Sequence, residues 1–321
     1  MDYYDLWLEI FDQLGFLSQL ALTLGCKNTN KNLIITDLNN VDAKYIKKLN
    51  KDLLQTRFCN VQVLDIYGLS FRDLSKLNYL QRLEATDECG IDNDALRGLN
   101  LYELNADWNK KITDVSFMTS LKILHTNFEC GIDDKGIKNL DLIELHCCHN
   151  KKITNVSFMK NLKILFAEGR CIKNEGIAGL NLIELYVSNN SKITDVSFMK
   201  NLKILNAAGL CGIDDKGIKG LDLVKLYAGD NDKITDVSFM KRLKMLDASD
   251  SCGICQKNIT KLDLFELRVD SNARIFDLTF MKNLKILFAR STCGIDDNGI
   301  KGLDLIRLYA VRNIKITKKV Y

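Results

Sequence analysis

Residues 202–240 read LKILNAAGLCGIDDKGIKGLDLVKLYAGDNDKITDVSFM, and residues 121–159 read LKILHTNFECGIDDKGIKNLDLIELHCCHNKKITNVSFM. The same text recurs along most of the chain. Its marker cysteines are Cys89, Cys130, Cys171, Cys211, Cys252 and Cys293, and its marker asparagines are Asn109, Asn150, Asn190, Asn231, Asn272 and Asn313. Successive markers stand 41 residues apart, apart from one step of 40 in each series, so one residue was dropped without loss of phase. A period of this size marks a solenoid, whose units bury their apolar faces only against their neighbours.

Each period holds two coils. Both begin with LxxLx(A/V/L), about 20 residues apart, which is the spacing of leucine-rich repeats. Half A ends in CGIDxxGIxxL and half B in NxKITDVSFM. Residues 33–49 read as a degenerate half A, 61–74 as a degenerate half B, and 305–321 as a half B cut short. About fourteen half-repeats therefore fill residues 31–321, with residues 1–30 set apart. The fold expected is α/β: a right-handed leucine-rich-repeat solenoid, or horseshoe. It has a parallel concave sheet, short helices or 3₁₀ turns on the convex side, and a short helical segment in front.

The pattern dictates one coil. In LxxLxA the first, fourth and sixth residues point inward, and the third, fifth and seventh point to the concave face. The buried turn after the strand leaves backbone polar groups that the Asn amide, or the Cys of half A, can satisfy. GIDDKGIKGL, with Asp at a helix start, predicts a short helix. ITDVSFM, rich in β-branched residues, predicts a single tight turn or 3₁₀ segment.

The 321 residues carry 45 basic and 41 acidic side chains, a net charge of +4 that is too weak to imply nucleic acid, and none is expected as a partner. No apolar run is long enough for a membrane span, and the acidic start predicts no leader. Like cysteines two coils apart lie about 9–10 Å apart, too far for a disulfide. Free thiols predict a reducing, intracellular and cytoplasmic setting.

Residues 6–30 place Leu6, Ile10, Leu14, Leu17, Leu20 and Leu24 at helical spacing. One reading is a helical cap over the first coil. The other rests on the run Leu8, Glu9, Ile10, Phe11, Leu14, Leu17, Leu20, Leu24, Cys26 and Lys27, which resembles the F-box. That module docks a Skp-family adaptor in cullin-RING ubiquitin ligases. The leading Leu-Pro and a later tryptophan of the usual motif are absent here. Half A resembles the CxxITDxGLxxL repeat of F-box/leucine-rich-repeat proteins. Half B resembles the short repeats of internalin-type proteins, with Phe where those have Pro. The whole order is similar to the repeat-rich F-box proteins encoded by giant DNA viruses. That resemblance implies adaptor binding through Leu8, Ile10, Phe11 and Leu14 and a host-cytoplasmic setting.

No catalytic constellation stands out, and no cofactor is expected. Paired Asp133/Asp134, Asp214/Asp215 and Asp296/Asp297 recur as repeat consensus, as capping requires. Cys252-x-x-Cys255 places one thiol in the buried ladder, against redox use. His125, His146 and Cys148, on one face of adjacent coils, are a weak candidate for Zn²⁺ ligation beside the expectation of no metal. Strand period aims Ile123, Glu144, Ile164, Phe166, Glu184, Tyr186, Ile204, Tyr227, Met245, Phe288 and Tyr309 at the concave face. Such apolar side chains rimmed by charge predict a protein target. Substrate reception for an SCF-type ubiquitin ligase and a stand-alone scaffold or decoy with no ubiquitin role both fit. Neither reading makes the chain an enzyme.

Overall fold

The computed structural model describes residues 62–65, 74, 75, 77–87 and 89–317. The expected adaptor-binding residues Leu8, Ile10, Phe11 and Leu14, and the domain boundary at residue 30, lie outside them. The chain divides into two compact units after Leu142. Among the described residues the first unit holds β1 (Val63–Asp65), β2 (Arg82–Glu84), β3 (Glu103–Asn105) and β4 (Ile123–His125). The second holds β5 (Glu144–His146), β6 (Ile164–Phe166), β7 (Glu184–Tyr186), β8 (Ile204–Asn206) and β9 (Lys225–Tyr227). It continues with β10 (Met245–Asp247), β11 (Glu266–Arg268), β12 (Ile286–Phe288) and β13 (Arg307–Tyr309). Within each unit every strand pairs in parallel with the next, in a register that sets the central leucines side by side.

That register makes the core a ladder. Leu145, Leu165, Leu185, Leu205, Leu226, Leu246, Leu267 and Leu287 are all fully buried. The first and sixth positions follow them inward, as at Leu202 and Ala207, while the third and fifth stay partly exposed along most strands. The solenoid inferred from the period is thus the fold, and each coil shares its apolar surface with both neighbours.

Two kinds of junction alternate between coils. Where a half B follows a half A, side chains tie the coils. Asn231 Nδ2 donates to the Ala207 carbonyl at 2.7 Å and the Ile213 carbonyl at 3.2 Å. Asp215 Oδ1 accepts from the backbone of Thr235 at 2.7 Å and Asp236 at 3.0 Å. The motif repeats with Asn190 and Asn174, and with Asn272 and Gln256. Where a half A follows a half B, backbone meets backbone. Val196 N–H donates to the Gly217 carbonyl at 3.0 Å, and Gly212 N–H to the Asn190 carbonyl at 2.9 Å.

The second kind of junction keeps the expected short helices and 3₁₀ turns of the convex side to a single turn. Residues 215–220 and 297–302 form turns, and helix is confined to α1 (Asn93–Leu96), α2 (Gln256–Ile259) and a 3₁₀ turn at Asn174–Ile177 among the described residues. The cap itself is present: Asp214 Oδ1 accepts from Lys216 N–H and Gly217 N–H, both at 2.9 Å. The Gly217 carbonyl, however, takes its proton from Val196 in the coil before. A carbonyl diverted to another coil cannot continue a helical ladder, so the segment stops after one turn. The ITDVSFM segments are turns, as their sequence predicts.

Cys89, Cys130, Cys211, Cys252 and Cys293 are buried free thiols, whereas Cys171 is partly exposed. The reason is the dropped residue. Cys130 and Cys211 are each followed by Gly before Ile, but Cys171 abuts Ile172 directly. It therefore stands in the glycine's place rather than the ladder's. Burial pushes the Cys252 thiol up to about 11, with the nearby Ile254 backbone opposing the shift. At pH 8 a thiol-specific reagent should accordingly label Cys148, Cys171 and Cys255 in the native protein and leave Cys252 and Cys293 slow. Comparable labelling of all five, read by mass spectrometry, would contradict this placement.

Candidate binding face of the sheet

Alternation along each strand sends the odd positions away from the leucine core. Parallel pairing in register then stacks like positions about 4.8 Å apart. This spacing suits flat rings, and the fifth position exploits it twice. His146, Phe166 and Tyr186 form one stack, with centroids 4.1 Å apart at each step and planes within 10° and 1°. Phe288 and Tyr309 form another, 4.4 Å apart and 11° from parallel. Arg268 lies over the Phe288 ring at 4.7 Å, and Arg290 lies 5.2 Å from Phe288 and 5.5 Å from Tyr309.

Third-position carboxylates orient these rings. His146 Nε2 lies 2.6 Å from Glu144 Oε1, and the Tyr186 hydroxyl donates to Glu184 Oε2 at 2.8 Å. Burial, then the bond to Glu184 and its charge, push the Tyr186 phenol well above its usual range, so it remains a neutral donor. Arg268 is held by Glu266 through Nε at 2.9 Å. Each ring is fixed on one face or both and stays partly exposed.

Of the residues expected on this face, Ile123, Glu144, Ile164, Phe166, Glu184, Tyr186, Ile204, Tyr227, Phe288 and Tyr309 are all partly exposed. Met245 differs: it is 6% exposed, flanked in register by Lys225 and Glu266. It lines a depression of about 460 Å³ together with Val224, Lys225, Tyr227, Lys244, Phe265, Glu266 and Arg268. His125 belongs to the first unit, His146 and Cys148 to the second, and among the described residues no three His, Cys, Asp or Glu side chains are grouped to hold an ion.

The repeated carboxylates have structural partners. Besides the capping Asp214 and the intercoil Asp215, Asp195 and Asp236 each accept from the backbone N–H of the serine two residues on, at 2.9 Å. Among the described residues, no helix is long and apolar enough to cross a membrane.

One feature escaped the strand reading. Trp108 and Phe128, in the first unit, stack at 4.3 Å and are 47% and 37% exposed. Both adopt left-handed backbone, with φ of 63° and 61°. Elsewhere that turn position holds glycine or a polar residue, such as Asp87, Asn189, Asp230, Ser291 or Arg312. Bulky side chains there cost about 1 kcal/mol each, and the aromatic break in a polar column was the available signal.

Neither a protein-family model nor a curated protein matches the sequence. Among solved structures, the chain is similar to an internalin (inlF) from Listeria monocytogenes at 22% identity, with 87% of this chain and 85% of that chain covered and a TM-score of 0.57. It also matches the functional domain of InlJ from Listeria monocytogenes, described as including a cysteine ladder, at 21% identity over 82% and 60% of the two chains, with a TM-score of 0.46. A leucine-rich-repeat protein of Leptospira interrogans matches at 19% identity over 86% and 88%, with a TM-score of 0.40. The likeness to the first of these is one of fold, and the fold is the leucine-rich-repeat solenoid.

Proposed function

We propose that this chain is a protein-binding module that works through the outward face of its sheet and carries no catalytic centre of its own. The observation that carries the reading is the stack of His146, Phe166 and Tyr186. Its rings are partly exposed, yet the core beneath is already complete with Leu145, Leu165 and Leu185. Rings pre-set by stacking and by Glu144 and Glu184 lose little freedom on docking, which favours their use as anchors.

The sequence of residues 1–30 extends this reading. With an F-box-like segment engaging a Skp-family adaptor, the module becomes the substrate receptor of an SCF-type ubiquitin ligase, of the kind giant DNA viruses encode. Free thiols at all nine described cysteines support a reducing, cytoplasmic setting. A scaffold or decoy without an adaptor is the other reading.

One set of measurements addresses both levels. Proteins retained by the immobilised full chain are identified and titrated against Phe166→Ala/Tyr186→Ala. Loss of two aromatic anchors should weaken a genuine target at least about tenfold, with the melting temperature nearly unchanged. Lys216→Ala, on an exposed turn, should leave binding intact. Unaltered affinity in the aromatic variant would refute the face. Separately, a purified Skp-family adaptor should bind the full chain and lose Leu8→Ala/Ile10→Ala/Phe11→Ala/Leu14→Ala; no binding to the intact chain removes the ubiquitin role and leaves the scaffold.

A further inference from the structure

The same face of the second unit is electrically polarised along its length. On β5 to β8 the third, fifth and seventh positions hold Glu144, Glu168 and Glu184 and no lysine or arginine. These carboxylates are engaged by an imidazole, a serine hydroxyl and a phenol: His146, Ser188 and Tyr186 respectively. On β12 and β13 the same positions hold Arg290, whose Nε lies 4.0 Å from Asp270 Oδ2, and Arg307, and no carboxylate. Between the ends, Lys225 and Arg268 alternate with Asp247, Glu266 and Asp270. The second-position lysines, Lys163, Lys203, Lys244 and Lys285, recur evenly and so distinguish neither end.

The aromatic stacks sit at the two poles. His146, Phe166 and Tyr186 stand among the carboxylates, and Phe288 and Tyr309 among guanidinium groups. Six to seven strand steps separate the poles, which is about 30 Å along the sheet. An isolated charge on a surface is screened within about 8 Å at physiological salt. The two ends therefore act on a partner independently, and each must find its complement.

We propose, resting on the reading of this face as the binding surface, that its partner is a protein presenting one elongated face, basic at one end and acidic at the other, with the two charge groups about 30 Å apart. The basic end of the partner faces Glu144, Glu168 and Glu184, and the acidic end faces Arg290 and Arg307. Charge of this kind fixes which way round the partner lies and suppresses wrong registers, while the rings and the depression around Met245 supply contact area. About 20 residues of helix would span the poles.

The probe is a synthetic alanine-rich helix of that length, with glutamates in its first third, leucines in its middle and lysines in its last third. This order also suits the helix dipole. Control helices carry lysine at both ends or glutamate at both ends. At low salt, binding of the full chain followed by fluorescence anisotropy should favour the bipolar helix at least about tenfold over either control. The variant Glu144→Lys/Glu168→Lys/Glu184→Lys should lose that preference and favour the all-glutamate helix. Adding Arg290→Glu/Arg307→Glu should restore bipolar binding with the helix turned end for end. Should the first variant fail to fold, Arg290→Glu/Arg307→Glu alone should shift preference to the all-lysine helix. Equal binding of the three helices, or no restoration in the doubly reversed protein, overturns the inference. Self-association of the chain that either charge reversal abolishes would also overturn it, by assigning the face to a second copy. If these tests fail while a captured target still depends on Phe166 and Tyr186, the charge pattern is wrong and the binding-module reading survives.

Discussion

Replacing Asn190 with alanine should destabilise the protein by about 4 kcal/mol, from four lost bonds at roughly 1 kcal/mol or more each. Its Nδ2 donates to the carbonyls of Ala167 at 3.0 Å and Ile172 at 3.2 Å. Its Oδ1 accepts from the backbone of Lys192 at 3.0 Å and Ile193 at 3.2 Å. Asn190 is completely buried, so water cannot take its place without opening the coil. Asn190→Asp should be no milder, because an acceptor-only carboxylate would face two carbonyls in a dry interior. Asn201→Ala, on an exposed turn, should change stability by less than about 0.5 kcal/mol. Urea unfolding of the three variants checks this. A loss at Asn190 no larger than at Asn201 would mean that the amide is not what closes the junction.

The second large effect belongs to a residue with no side chain. A Cβ built on Gly217 would overlap the Thr194 carbonyl oxygen and press on Ile213 Cγ2 at 3.2 Å. The first of these neighbours is backbone, held in place by its own coil. Gly217→Ala should therefore force the two coils apart and cost on the order of 3 kcal/mol. Gly229→Ala is the comparison. There the added carbon meets Asp247 Oδ1 at 3.4 Å, an ordinary contact, and neighbouring coils already carry Ala208 and Ser249 at that position. Its cost should stay within about 0.5 kcal/mol. Equal melting temperatures for the two variants would show that the junction has slack the geometry does not suggest.

Strand positions were legible because one rule, alternation along the strand, covers every coil. Leu165, Ala167 and Phe166 each fall where that rule sends them. That Phe166 and Tyr186 share one face was legible in the same way, whereas their stacking is seen only in the structure. What the sequence hid depends on distances between coils. The convex turns look helical in one dimension, with Asp214 as a cap, and only the Gly217 carbonyl's bond to Val196 shows why the helix stops. Met245 reads as an exposed third-position residue, but it is buried between Lys225 and Glu266. Cys171 reads as a ladder thiol until the missing glycine is placed. The polarity of the face was present at the seventh positions, in Glu168 and Arg290, and needed only the same alternation carried two residues further.

The alternation of junctions also bears on ancestry. A half A coil offers carbonyls to the asparagine that follows it, and a half B coil offers a backbone surface to the glycine that follows it. Removing one coil of about 20 residues would bring two coils of the same kind together. An asparagine amide would then find no carbonyls set for it, or two glycine turns would abut. Gain or loss of a whole 41-residue pair leaves each junction matched. A change of length by one such pair therefore leaves the junctions intact, while the loss of a single residue, as beside Cys171, is absorbed in a turn.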